Sequence, residues 1–294
     1  MKRIFNYTIP TEYNEQTLLS FLKSKKYSSQ IMSHLKRTEN GILLNGQWGR
    51  VRDLLYEGDE LTIQLIEDAS SENIVPNNLP LNIVYEDEDI LVVNKEANTP
   101  IHPSQGNYYN TLANAVAYYY QQKGEYFTYR CINRLDRDTT GLLIIAKHMY
   151  SASLLSDMVS NREIHREYVA IATGKVPEKG TIIAPVGRVD GSTIERHVDE
   201  AQGDYACTHY KRLAYNNGYS LVSLKLETGR THQIRVHMKH IGYPLPGDFL
   251  YNPDYSVIKR QALHSHKLSF KHPISGKMLG FVADLPEDMK SIIE

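Results

Sequence analysis

Five apolar residues run without a break from Leu142 to Ala146, between Gly141 and Lys147. Such a run, bounded by turn and charge signals, is the pattern of a buried strand. Immediately before it stands a knot of alternating charge, Arg134, Asp136, Arg137 and Asp138. Asp138, Thr139 and Gly141 suit a turn: Asp and Thr side chains bond their own backbone, and glycine takes dihedrals closed to other residues. Asp136 has no such explanation. It lies between Arg134 and Arg137 at the mouth of a buried strand. Either the knot is a solvated salt-bridge cluster, or it keeps one aspartate ionised in an active site.

The rest of the chain surrounds that strand with more strands than helices. Residues 15–37 read as two short helices, with Leu18, Leu19, Phe21 and Leu22 clustered on the first and a serine cap before Ile31, Met32 and Leu35 on the second. Asn45-Gly46 marks a hairpin, Gly58-Asp59 a second turn, and Leu61–Leu65 alternates as a half-buried strand. Residues 1–66 therefore form a small module. Its helices carry Lys23, Lys25, Lys26, Lys36 and Arg37, which by charge alone read as a solvated face. Residues 67–80 are polar and proline-bearing, as in a linker. Residues 81–294 make the main domain. Short strands open it, a helix is predicted over 111–122 and another near 151–159, and Arg166–Gly174 reads as a strand. Residues 176–204 suggest an inserted loop or hairpin. Strands follow near 209–214 and 219–226, then a C-terminal pair around the Ser275-Gly276 turn. The pattern favours an α+β fold with a mostly antiparallel mixed sheet and flanking helices over a regular βαβ repeat.

Composition removes several function classes. Lys plus Arg is 33 and Asp plus Glu is 34, so the net charge is −1 and any nucleic-acid site must come from a local patch. Cys131 and Cys207 form no metal or disulfide pattern, and Cys131 reads as a buried free thiol. No apolar run approaches the ~20 residues of a membrane span. The default is a soluble, cytoplasmic, monomeric protein.

Two further segments bear on chemistry. In Leu226–Asp248, Thr231 is the predicted helix cap and Gly242 the terminator, with Ile234, Met238 and Ile241 on one face and Arg235 and Lys239 on another. Arg230 precedes the cap, where the helix end favours an anion. Two arginines on separate parts of this unit suit one carboxylate and one phosphate. His232 and His237 are five apart and do not converge on a metal; no metal site is predicted. In Arg166–Gly174, Tyr168 starts a strand, the ordinary position of a core tyrosine with its hydroxyl at the edge.

Taken together and in this order, N-R-L-D-R-D-T-T-G-L-L-I-I-A-K, R-E-Y-V-A and L-E-T-G-R-T-H-Q-I-R-V-H resemble the RluA family of RNA pseudouridine synthases. Further matches are Val92–Lys95 before Pro100–Ser104, Gly247-Asp248 before Tyr251, and the terminal L-H…L-x-F-x-H-P pattern. The N-terminal module resembles an S4-type RNA-binding domain, which turns its basic helices into an expected RNA patch. The sequence departs from the family at Asn133, usually His, and at Asn94–Pro100. The module has Ser29 and Gln30 where a basic residue is often found. The resemblance implies the pseudouridine synthase fold and isomerisation of uridine in structured RNA without any cofactor. It implies large-subunit ribosomal RNA as substrate first; transfer RNA, or a non-catalytic role in ribosome assembly, is the alternative. It assigns Asp136 as the catalytic carboxylate, nucleophile or base, on a base flipped out of its stack. Arg235 is its ion-pair partner, Tyr168 lies on the uracil, and Arg134 occupies the gap the base leaves.

Overall fold

The structure is a computed structural model that describes residues 1–294. In chain order, the N-terminal module holds β1 (Lys2–Thr8), a 3-10 turn, α1 (Leu18–Ser24), α2 (Ser29–Arg37), β2 (Ile42–Leu44), β3 (Gln47–Trp48) and β4 (Glu60–Ile66). Thr17 and Ser28 cap the two helices by accepting the amide hydrogens of Ser20 and Ile31. Asn45 and Gly46 both have positive φ, the geometry of a tight hairpin between β2 and β3. The sheet order is β1-β4-β2-β3. Strand β1 is not legible in the sequence: its burial alternates weakly, and its place is set by antiparallel pairing along all of β4.

The main domain runs β5 (Ile83–Glu86), β6 (Ile90–Lys95), α3 (Leu112–Gln122), β7 (Thr140–Ala146), α4 (Met149–Ser160), β8 (His165–Thr173), β9 (Lys179–Ile183), β10 (Val186–Arg188), β11 (Arg196–Val198), β12 (Cys207–Asn216), β13 (Tyr219–Leu226), α5 (Gln233–His240), β14 (Leu263–Lys271), β15 (Met278–Val282) and α6 (Glu287–Ile293). Its sheet follows β5-β6-β7-β14-β8-β13-β12-β9, with β15 hung on β14; β10 and β11 form a separate hairpin inside the predicted insertion. All pairings are antiparallel except β7 with β14. The predicted buried strand is β7, and all seven of its residues are buried. Leu143 and Ile145 face one apolar layer with Leu112 and Val116 of α3 and Ile234 and Met238 of α5. Leu142, Ile144 and Ala146 face another with Leu155 and Met158 of α4. Burying each such Leu or Ile contributes roughly 1.5–3 kcal/mol, which fixes β7 and the turn preceding it at the centre of the domain. Helix α6, which the sequence reading did not anticipate, buries Met289 and Ile292 against Ile171 and Ala262.

Gly141 is needed for two reasons. Its φ is +113°, and a Cβ there would lie 2.3 Å from the Ser265 carbonyl oxygen of β14. The strand after the charged turn thus approaches β14 at a distance no side chain permits.

Residues 67–80 are not a free linker. Ser70 and Ser71 hydroxyls accept the amide hydrogens of Phe127 and Tyr129, and the Asn114 amide donates to the Val75 carbonyl at 2.7 Å. The two serines satisfy backbone groups of the main domain and Asn114 of α3 satisfies one of the segment, which composition alone does not reveal. The module itself docks on α4: Tyr150 stacks on Tyr27 with centroids 4.1 Å apart and packs edge-on against Phe5. Arg3 bonds both oxygens of Asp89, and Glu67 pairs with Arg130. No helix is long and apolar enough to cross a membrane.

Candidate active site

The turn before β7 is held from below. Thr139 donates its amide hydrogen to the Asp136 carbonyl at 3.1 Å. The Lys95 ammonium, at the end of β6, donates to the carbonyls of Glu96 and Arg137, both at 2.7 Å. Burial pushes that amine down to about 7, against the pull of Asp138 and Asp136. Arg260 and Gln261 reach the Asp138 carbonyl and the Thr139 hydroxyl from the segment before β14. The Asn133 side-chain oxygen accepts the Ile144 amide hydrogen at 2.9 Å. Cys131 is a free thiol, half-buried rather than fully buried, and desolvation pushes it up to about 12.

The charges of the knot do not pair as the sequence order suggests. Arg137 bonds Asp138, its neighbour, at 2.9 Å on the surface, and Arg134 is exposed. Asp136 instead receives a hydrogen bond from Arg235, 99 residues further on, between Nη1 and Oδ2 at 2.8 Å. Arg235 is 1% exposed. Its Nε and Nη2 bind the two oxygens of Asp248, both at 2.7 Å, and its guanidinium lies 5.0 Å from the Tyr251 ring centroid. Burial opposes its charge, but the hydrogen bonds to Asp248 and the charge of Asp136 outweigh that, so its pKa is raised. Of the two arginines expected to take one carboxylate and one phosphate, Arg235 is thus the carboxylate partner, and it holds two carboxylates rather than one.

Helix α5 carries Arg235 to this point. Thr231 is not its cap. His232 occupies that position with φ of 59°, and its side chain caps nothing. Gln233 does the local work: its Oε1 accepts from the Arg230 amide and the Thr228 hydroxyl, while its Nε2 donates to Cys207 and Thr208. Gly242 ends the helix at φ of 85°, as predicted, and Tyr243 donates its amide hydrogen to the Met238 carbonyl. His237 points away from the cleft, bonded to the Thr208 hydroxyl and the Ala184 carbonyl.

Arg134, Asp136, Tyr168, Arg230 and Arg235 all line one cleft of about 60 Å³, together with Leu135, Thr139, Leu226, His232, Gln233, Ile234 and Leu263. Tyr168 is 5% exposed, on β8 between Leu224 of β13 and Ser265 of β14. Arg230 is tethered to the Tyr205 carbonyl and lies 3.4 Å from Asp204. Lys23, Lys25, Lys26, Lys36 and Arg37 do not line the cleft. They sit on the module; Lys25 is half-buried beside the Tyr150 stack, its carbonyl accepting the Tyr150 hydroxyl.

A model of the family described as RNA pseudouridylate synthase matches residues 89–240, which include the turn, Tyr168 and Arg235. YjbO of Bacillus subtilis, named as an uncharacterized RNA pseudouridine synthase, is 40% identical over 91% of this chain and 94% of its own. This chain belongs to the RNA pseudouridine synthases. Ribosomal large subunit pseudouridine synthase D of Haemophilus ducreyi is 39% identical over 87% of this chain and 81% of its own. The structure of human RNA pseudouridylate synthase domain containing 1 superposes with a TM-score of 0.59 at 26% identity, covering 71% of this chain and 84% of that one. The pseudouridine synthase fold and activity on RNA follow, as the sequence implied.

Two features of this synthase's cleft are hidden in the sequence. Asp248 stands in the G-D…Y match, but its role as the second carboxylate on Arg235 depends on a loop returning to α5. His232 reads from its spacing only as a failed metal ligand; in the fold its Nε2 lies 3.9 Å from Asp136 Oδ1. Its positive φ, a conformation that costs a non-glycine residue free energy, is visible only in the structure.

Proposed function

We propose that this enzyme isomerises uridine in large-subunit ribosomal RNA, with Asp136 as nucleophile or base on a flipped-out uridine. The reaction breaks the bond from C1′ to N1, forms one from C1′ to C5, moves a proton off C5 and supplies one to N1. It needs a carboxylate and no electron or group donor. The observation that carries this reading is the asymmetry of Asp136: Oδ2 is engaged by a buried arginine, while Oδ1 has no hydrogen-bond donor and belongs to a cleft shared with Tyr168. Tyr168 then lies against the uracil ring, and Arg134, exposed at the rim, fills the space the base vacates. Arg230 and the module's Lys23, Lys26, Lys36 and Arg37 contact phosphate, with Lys25 adding charge at the module's inner edge. The module acts as the S4-like RNA-binding unit.

The relatives named as large-subunit synthases support ribosomal RNA as the substrate. Chemical mapping of pseudouridines in cells with and without the gene tests it. Loss of one or more sites in large-subunit RNA is expected; loss confined to transfer RNA would reassign the substrate.

A further inference from the structure

His232 sits in a chain of contacts that ends at Asp136. The Arg196 amide, at the start of β11, donates to the Tyr251 hydroxyl at 2.9 Å. The Tyr251 hydroxyl lies 2.9 Å from His232 Nδ1. Tyr251 is 6% exposed, and burial pushes its hydroxyl up to about 12, so it keeps its proton. With one lone pair taken by the Arg196 N–H, its own hydrogen is free to donate to Nδ1. In that arrangement Nδ1 accepts, and the hydrogen of the neutral imidazole is on Nε2. That atom faces Asp136 Oδ1, the oxygen Arg235 leaves free, at 3.9 Å. Burial lowers the His232 pKa, Asp136 and Asp248 oppose that shift, and Arg235 and Arg196 reinforce it; the neutral form fits this tautomer.

The backbone agrees with a dedicated role. His232 is held at φ of 59° while its side chain makes no cap bond, and Gln233 takes over the ordering of the loop. A strained residue whose side chain does not serve the helix points to a use elsewhere. We infer that His232 is a positioning residue for the reaction: through a hydrogen fixed on Nε2 by Tyr251 and the β10–β11 hairpin, it sets the orientation of the free oxygen of Asp136. This rests on the proposed role of Asp136. The 3.9 Å separation is longer than a hydrogen bond, so the inference requires Nε2 to come within hydrogen-bond reach of Oδ1 in the complex with the base.

The test separates the two ring nitrogens. In His232→Asn the amide stands where Nδ1 was, tolerates the left-handed backbone and keeps a partner for Tyr251, but nothing reaches Asp136. In His232→Gln the amide reaches the Nε2 position. Single-turnover tritium release from a 5-tritiated ribosomal RNA fragment gives the rate constant, and filter binding of the same fragment gives Kd. For His232→Asn a rate slower by roughly 10- to 100-fold is expected with Kd within about twofold, and His232→Gln should recover at least about tenfold of that loss. Tyr251→Phe should slow the rate at unchanged Kd, since it frees the tautomer. Equal rates for the Asn and Gln variants, or a loss carried by Kd alone, would overturn the inference. Asp136→Asn is run alongside: if it stays active, the role of Asp136 itself fails, whereas an inactive Asp136→Asn beside a fully active His232→Asn refutes only the part given to His232.

Discussion

Replacing Arg235 by alanine should damage stability and activity for separable reasons. The side chain makes three charged hydrogen bonds, two to Asp248 and one to Asp136. Asp248 is 0% exposed and would retain only the backbone N–H groups of Leu250 and Tyr251, both on Oδ1, leaving Oδ2 with no partner. Asp136 is 27% exposed and keeps contact with solvent. The cost therefore concentrates on Asp248, and stranding a buried charge in this way costs about 3–5 kcal/mol. For a chain of this size that lowers the melting temperature by on the order of 10 °C. The decisive comparison is the double variant Arg235→Ala/Asp248→Asn. It removes the stranded charge, so it should regain at least about 1 kcal/mol over the single variant in a urea melt. It should nonetheless stay inactive in tritium release, because Asp136 still lacks its partner. Arg235→Lys should fall between, since an ammonium cannot span two carboxylates as the guanidinium fork does. If Asp248→Asn lowers the stability of Arg235→Ala further, by as much as it lowers the wild type, the stranded-carboxylate account is refuted.

Asp136→Asn should keep the wild-type melting temperature and lose at least about 10³-fold in single-turnover rate, as removal of a nucleophile does; activity within about tenfold of wild type would remove it from the chemistry. Gly141→Ala should destabilise by roughly 3 kcal/mol or more through its clash with Ser265 and its positive φ, read by a denaturant melt. Burial pushes the Asp89 carboxyl up, but His148 and Arg3 hold it down at about 2, below its ordinary 3.8. Its contribution of about 2 kcal/mol is thus present above a pH of about 4 and falls away as pH drops toward about 2, and Asp89→Asn should flatten the acid melt over that window. Neutralising Lys23, Lys26, Lys36 and Arg37 together should weaken binding to long structured RNA and reduce the log–log salt slope by about 0.9 for each duplex phosphate that is no longer neutralised; an unchanged slope would return those residues to a solvated face.

The N-terminal module shows what composition misses. Its helices and hairpin are legible because caps and Asn45-Gly46 act over a few neighbouring residues. Its attachment is not, because the Tyr27–Tyr150 stack and the Arg3–Asp89 pair join residues far apart in the chain, the latter by 86 positions. The same division holds for residues 67–80, polar as a linker is polar, yet used to satisfy the backbone at Phe127 and Tyr129.

At the cleft, the sequence by itself determined the buried strand β7, the glycine turn before it, the termination of α5 at Gly242 and the set of residues on which the family resemblance rests. Each follows from local sterics, local hydrogen bonding or an unbroken motif. No local rule gave the partners: the family resemblance implied Arg235 for Asp136, and the physical reason for that pairing lies in the tertiary structure. Arg134 and Arg137 flank Asp136 in the chain, but the turn sends them outward, and the arginine that bonds Asp136 comes from a helix 99 residues away. The same packing placed Asp248 on the far side of Arg235 and moved the cap of α5 from Thr231 to His232. Charge attraction is weak across water but persists in a buried site. Which charges meet is therefore set by the apolar layers that bring α5 up to β7, not by their order along the chain.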